Sequence, residues 1–271
     1  MVSFQYISDT HIEYRKNVPK IQITAPNIIL LGDIGHPETE LYVKFIEFCS
    51  QNFINTFVLF GNHEYYSKTR KTMDEIEMLT ESFPKNVYFL QNKSVYISIV
   101  NDIVYTEITE DILLFPENYL KLIGTTLWAN LDRAVENKVN DLKKIYISPN
   151  CLLTGNNIRS FFYKAKKFIL NEIASTKCRC IILTHHATNN ICKSDIILPD
   201  DKSSSAFFTQ INEFFSFKNI IACINGHTHF SIDTFMCRNG ARIKFLANCY
   251  GAPSDRKSIV GYNPFAVLTI L

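Results

Sequence analysis

The octapeptide INGHTHFS, Ile224 to Ser231, sets His227 and His229 two residues apart directly after the apolar run NIIAC. Imidazole binds metals and carries protons near neutral pH, although a lone histidine is more often structural. The rest of the chain repeats the arrangement. After FQYI come Asp9 and His11 in SDTH; after NIILL comes Asp33 in GDIGH; after TFVLF come Asn62 and His63 in GNHE; after CIILT come His185 and His186. Six of the seven histidines fall in four of these five places, which random scatter would not produce, and the seventh, His36, stands three residues after Asp33.

Carboxylate, amide oxygen and imidazole together suit Mn, Fe, Zn or Co, and the absence of cysteine from these turns argues against a thiolate zinc site. So many donors call for two ions. In extended backbone, residues i and i+2 point to one side, so Asp9 with His11, and His227 with His229, are each expected to address one crevice. Gly32, Gly61 and Gly226 are expected to let the chain turn sharply beside the ions.

Such donors need strands to carry them. FQYI (4–7), NIILL (27–31), TFVLF (56–60), CIILT (180–184) and NIIACI (219–224) read as buried strands alternating with helical segments, the pattern of an α/β fold. Ligands in open α/β sheets bind beyond the carboxyl ends of the strands, which brings the five turns to one site. In ETELYVKFIEFCSQNF, Leu41, Phe45 and Phe48 repeat at helical spacing beside Tyr42, Ile46 and Cys49. Further helices are expected over Lys71 to Phe83 and Ile158 to Ala174, and the late strands ARIKFLA and FAVLTIL read as mixed or antiparallel. The stretch around 130–157 is polar and irregular and reads as an insertion in a single domain spanning 1–271. It and Ala187 to Ser205 are the candidate substrate-selecting loops.

Bulk composition excludes several classes. A net charge of +2 gives no field for a dedicated nucleic-acid binder or a polybasic membrane anchor, and no apolar run is long enough to span a bilayer. The eight cysteines contain no C-x-x-C pair, and no signal peptide opens the chain, so a reduced, cytoplasmic setting is expected.

The motifs DTH, GD, GNHE, THH and GHTH, in this order from Asp9 to His229, resemble the calcineurin-like metallophosphoesterase superfamily. SDTHIE, GDIG, GNHEYY, GTTLW, THHA and GHTH are similar to a branch of mostly uncharacterised single-domain members. The resemblance implies a four-layer α/β/β/α sandwich with two mixed sheets. It also implies that Asp9, His11 and His229 hold one metal, that Asn62, His185 and His227 hold the other, and that Asp33 bridges both. His63 is then the proton donor, Glu64 an acceptor that fixes an imidazole, and His186 the fallback for His185. Tyr65, Tyr66 and Trp128 are candidates for pocket or packing, and His36 is expected at the surface. Phosphoprotein phosphatases extend the second motif to G-D-x-V-D-R-G, whereas this chain reads GDIGHPE, with Pro37 where the phosphate-clamping arginine would stand.

The implied activity is dinuclear metal-dependent phosphoester hydrolysis. A hydroxide shared by the ions is the expected nucleophile and His63 the acid for the departing oxygen. A small or nucleotide-like diester is favoured over a monoester, because no basic residue lies within the five motifs. The alternatives are a phosphomonoesterase, a nuclease, for which YKAKK (163–167) is the best basic cluster, and a silent binding module on the same scaffold. The partner is a small phosphoester; no membrane is indicated, and nucleic acid is possible without being indicated.

Overall fold

The computed structural model describes residues 1–193, 202–255 and 260–271. Its strands are β1 (Val2–Ile7), β2 (Asn27–Leu31), β3 (Asn55–Leu59), β4 (Val87–Phe89), β5 (Lys93–Ser98), β6 (Val104–Tyr105) and β7 (Tyr119–Thr125), then β8 (Tyr146–Ser148), β9 (Cys151–Leu152), β10 (Arg179–Thr184), β11 (Ile220–Asn225), β12 (Ile232–Arg238), β13 (Ala241–Ala247) and β14 (Val267–Ile270). The α-helices are α1 (Glu40–Asn52), α2 (Met73–Met78), α3 (Glu110–Leu114), α4 (Asp141–Lys144) and α5 (Gly155–Ala174).

Two mixed sheets carry the fold. The first has the order β14-β1-β2-β3-β4, with β1 to β4 parallel and β14 antiparallel; the second has the order β12-β13-β11-β10-β7-β5-β6, with four parallel strands at its centre. Both late strands therefore pair as the sequence implied. The register aligns Tyr6, Ile29 and Phe57 across the first sheet and Leu122, Ile181 and Ala222 across the second. These rows belong to one buried apolar cluster between the sheets. The alternate residues of the central strands face outward, toward the buried sides of α1 (Tyr42, Phe45, Ile46, Cys49) and α5 (Ile158, Phe162, Ala165, Ile169, Ile173). Period-2 strands with both faces covered are why these runs read as almost continuously apolar.

Helix ends follow local chemistry. α2 starts at a capping box, in which Thr72 Oγ1 accepts from the Glu75 amide and Glu75 accepts from the Thr72 amide. The expected helix over Lys71 to Phe83 is α-helical only to Met78, then tightens to a 3₁₀ turn over Leu79–Ser82. Pro84 disfavours helical backbone at Phe83. α5 begins three residues before the expected Ile158 because Thr154 and Asn157 form a reciprocal cap. The 130–157 stretch folds into a 3₁₀ segment over Arg133–Lys138, then α4 and the β8–β9 hairpin. Of the second candidate loop, residues 194–201 lie outside the described residues. No described helix is long and apolar enough to cross a membrane.

Candidate metal centre

The five motif turns leave the carboxyl ends of β1, β2, β3, β10 and β11, parallel strands at the centres of the two sheets. Their backbone is not extended. Asp9, His11, Asp33, His227 and His229 have φ of 55°, 44°, 52°, 66° and 48°, the left-handed region that non-glycine residues avoid. Each such residue costs of order 1–3 kcal/mol and persists only where surrounding contacts over-determine it. Here the Asp9 amide donates to Gly32 O at 3.0 Å and the His11 amide to Asp33 O at 3.0 Å. Fully buried Glu64 accepts from the amides of Asp33 (2.9 Å), Ile34 (2.7 Å) and Gly61 (2.7 Å). Glu64 thus grips two motif turns by their backbone and does not fix an imidazole as expected.

The left-handed turns change how the i, i+2 pairs work. Asp9 and His11 do meet, with His229 Nε2 3.2 Å from His11 Nε2 and 3.4 Å from Asp9 Oδ1. His227, however, goes to a second group: its Nδ1 lies 3.1 Å from His185 Nε2, which is 3.2 Å from Asn62 Oδ1. His227 and His229 do address one crevice, as expected, but they enter different donor groups within it, because the strand ends at Asn225 and the turn after it is left-handed. Asp33 lies between, with Oδ1 3.4 Å from His185 Nε2 and Oδ2 3.8 Å from His11 Nε2.

Tautomers follow from the outer partners. His185 Nδ1 donates to Leu31 O (2.8 Å), His11 Nδ1 to Glu13 Oε1 (3.0 Å), His229 Nδ1 to the Asp255 carboxylate and His227 Nε2 to Ala206 O (3.3 Å). With those nitrogens protonated, the inward nitrogens carry lone pairs. Asn62 is oriented likewise, its Nδ2 donating to Asp141 Oδ1 (2.9 Å) and Tyr66 Oη (3.3 Å) so that Oδ1 points inward. Lone pairs held face to face at about 3 Å repel unless a proton or a cation lies between them. Outward donation that fixes the ring is the usual arrangement of metal-binding histidine. The donor set therefore fits metal ions, and two groups that could hold one are Asp9–His11–His229 and Asp33–His185–His227.

Electrostatics agree. Burial would lower the His229 pKa, but the Asp9 and Asp255 carboxylates raise it to about 10, and Asp33 and Asp9 likewise bring His185 to about 9 against the same burial. Burial would raise the Asp9 pKa, yet His229 and His185 pull it to about 2. Three ionised carboxylates here demand positive charge, which protons supply in the bare chain and which metal binding would displace.

Three glycines are required by space: a Cβ on Gly32 would lie 2.4 Å from Gly61 N. A Cβ on Gly61 would lie 2.2 Å from Asp33 Oδ1, and one on Gly226 would lie 2.7 Å from Ser8 Cβ. Only Gly32, at φ 83°, is needed for the turn itself.

His63 is set beside the groups. Its amide donates to Asp33 Oδ1 (2.8 Å), its Nδ1 donates to Glu13 Oε1 (3.0 Å), and its Nε2 is 4.0 Å from Asp33 Oδ2. Burial would depress its pKa, but Asp33 and the Glu13 hydrogen bond raise it above the ordinary 6.5. His186 is buried beneath the site, with Nδ1 on Thr126 O at 3.3 Å and its ring 4.1 Å from that of His227. Of the adjacent pair, the nitrogen that enters a donor group is that of His185. His36 is buried, at 9% exposure, and not a surface residue. The groups open into a pocket of about 790 Å³ walled by Tyr14, Tyr66, Val139, Phe207 and Val260, with Lys138 at its rim. Tyr65 and Trp128 pack in the core.

The calcineurin-like phosphoesterase model matches residues 4–231. The chain belongs to this family. An uncharacterised protein of Acanthamoeba polyphaga mimivirus, L509, is 27% identical over 297 residues, covering 98% of this chain and 96% of that one. Among solved structures, a phosphopantetheinyl hydrolase from Mycobacterium tuberculosis superposes with a TM-score of 0.58 at 14% identity, over 92% of this chain and 89% of that one. A dimetal phosphatase from Danio rerio gives 0.42 at 11% identity, over 91% and 87%.

This phosphoesterase is a phosphoester hydrolase by family, and three residues that shape its site were given no role from the sequence. Glu13 joins His11 to His63, Asp141 orients Asn62, and Asp255 orients His229. Glu13 could have been found, two residues after His11 in SDTHIE. Asp141 opens the one-turn helix α4 and Asp255 stands in an irregular segment, and no motif spacing marks either.

Proposed function

We propose that this protein hydrolyses phosphodiesters of small or nucleotide-like alcohols at a dinuclear metal centre. Asp9, His11 and His229 would hold one ion and Asn62, His185 and His227 the other, with Asp33 shared. The observation that carries this reading is the pair of donor groups whose inward ring nitrogens approach within about 3 Å on either side of Asp33. Mn, Fe, Zn or Co would suit these donors. Such ions, when bound, neutralise phosphoryl oxygens and make water acidic enough to react near neutral pH. The chain supplies the rest. Asp33 keeps the two groups at fixed spacing. His63, with Nδ1 committed to Glu13, keeps its second proton at Nε2 for the departing oxygen. Tyr14 and Tyr66 wall the side of the pocket next to that imidazole.

A diester is favoured because Lys138 is the sole lysine or arginine among the described residues that line the pocket. A monoester carries an additional charge that this wall does little to meet. A silent binding module would have no need to keep every donor and the acid together.

The test is elemental analysis after incubation with excess Mn, joined to hydrolysis of bis(p-nitrophenyl) phosphate and the matching monoester with and without EDTA. Two metals per chain, faster diester turnover and full loss with EDTA are expected. A chain that retains no transition metal would overturn the reading.

A further inference from the structure

A second cavity, of about 380 Å³, adjoins the metal pocket, with Tyr14 and Tyr66 lining both. Its chemistry is different. Lys68, Lys143 and Lys144 line it, and among the described residues no carboxylate stands within ion-pair distance of their amines, in contrast to Lys71 or Lys166. The one carboxylate in its wall is Glu13, whose Oε1 is taken by His11 and His63 and whose Oε2 is buried. Lys144 Nζ lies over the Tyr66 ring, 4.7 Å from its centroid, and that ring is 4.3 Å from the ring of His63. One aromatic ring thus separates His63 from Lys144.

We infer that this lysine-lined cavity is a subsite for a second phosphate, carried by the part of the substrate that leaves with the proton of His63. The inference rests on the function proposed above and narrows its substrate class to phosphoesters whose leaving alcohol is itself phosphorylated. Three ammonium groups around so small a space repel one another, and a phosphate dianion offsets more of that charge than a carboxylate and offers more acceptors to their N–H donors. Two of the lysines come from α4, within the 130–157 stretch expected from sequence to select substrate. Their gathering in one cavity, on a chain of net charge +2, fits a single phosphate better than the stripe that tracks a polynucleotide.

The test is calorimetry on the full Mn-loaded chain with adenosine 3′,5′-bisphosphate and adenosine 5′-monophosphate as probes. The bisphosphate should bind roughly tenfold or more tightly, as expected for hydrogen bonds between charged groups. Lys143→Ala/Lys144→Ala should abolish that preference and Lys143→Arg/Lys144→Arg should restore it; all three side chains are exposed, so folding is not at stake. Equal wild-type affinity for the two probes overturns the subsite whatever the activity. Affinity that keeps rising with the length of an oligoadenylate also overturns it, because a polynucleotide track is then the better description. If the loaded protein cleaves no ester yet keeps the bisphosphate preference, the hydrolase reading falls and the subsite stands.

Discussion

The two ends of the first sheet treat buried polar groups in opposite ways. At the amino ends of β2 and β3, Asn27 Nδ2 donates to Ser3 O (3.1 Å) and to Asp102 Oδ1 (2.7 Å). Asn55 Nδ2 donates to Asn27 Oδ1 (2.8 Å) and Asp102 O (2.8 Å). Every amide proton there has met an acceptor. At the carboxyl ends, imidazoles that already donate outward turn their second nitrogens toward one another on left-handed backbone, and only an added proton or cation pairs them. The first network is complete within the chain, whereas the second is complete only with something positive from outside. Burial of polar groups alone does not distinguish structure from function; the polarity of their partners does.

Asp33→Asn should break that contrast most strongly. Replacing the shared carboxylate removes charge from both donor groups at once, so activity should fall beyond the roughly 10–100-fold typical of residues that orient metal ligands. His11→Ala or His227→Ala touches one group each and should cost less. Steady-state rates beside metal content and circular dichroism check the order, and a clearly larger loss in either histidine variant of a folded protein would remove Asp33 from its shared position.

Glu13→Gln should have a smaller effect with a distinct signature. His63 must be protonated to donate, and Glu13 is one of the groups that raise its pKa against burial. Activity on an alkyl diester should therefore fall on the alkaline side, at a pH above the ordinary imidazole value in the native protein. In Glu13→Gln that limb should move to lower pH, with kcat reduced about 10–100-fold. The limb should be absent from His63→Ala. An unmoved limb would mean that Glu13 serves His11 alone.

The strands and the donor set were legible for one physical reason: a buried parallel strand must be apolar along its length, so the first polar residues after it mark its carboxyl end. FQYI, NIILL, TFVLF, CIILT and NIIACI gave the strands within a residue or two, and the motifs after them hold the donors. Backbone conformation was not legible. The period-2 argument put His227 and His229 at one crevice, where they are, but it assumes extended chain, and the left-handed turn splits them between two donor groups. Glu64 was misread because its grip on three amides is a contact between two turns far apart in sequence. Asp141 and Asp255 were missed because a single helical turn and a loop carry no periodicity, and the lysines of α4 acquire meaning only from the cavity they line.

The smallest expected effect on activity belongs to the self-sufficient end. Asn55→Ala removes both hydrogen bonds of the Asn55 amide and leaves Asn27 Oδ1, in a fully buried residue, without its donor. An orphaned buried acceptor costs about 1–3 kcal/mol, so the midpoint of urea unfolding should fall while the slope of the transition is unchanged. Metal content and kcat of the folded protein should match the wild type, since the network lies at the opposite end of β3 from Asn62 and His63. Asp33→Asn should lose turnover and also some stability in the metal-free chain near neutral pH, because, against burial, neighbouring histidines hold the Asp33 carboxyl well below the ordinary carboxylate range and that stabilisation goes with its charge. Urea melts of both variants in EDTA, set beside their rates with Mn, make the comparison quantitative. If Asn55→Ala lost activity in proportion to stability, or Asp33→Asn kept its turnover with Mn, the two ends would not divide structure from function and the distinction between them would be wrong.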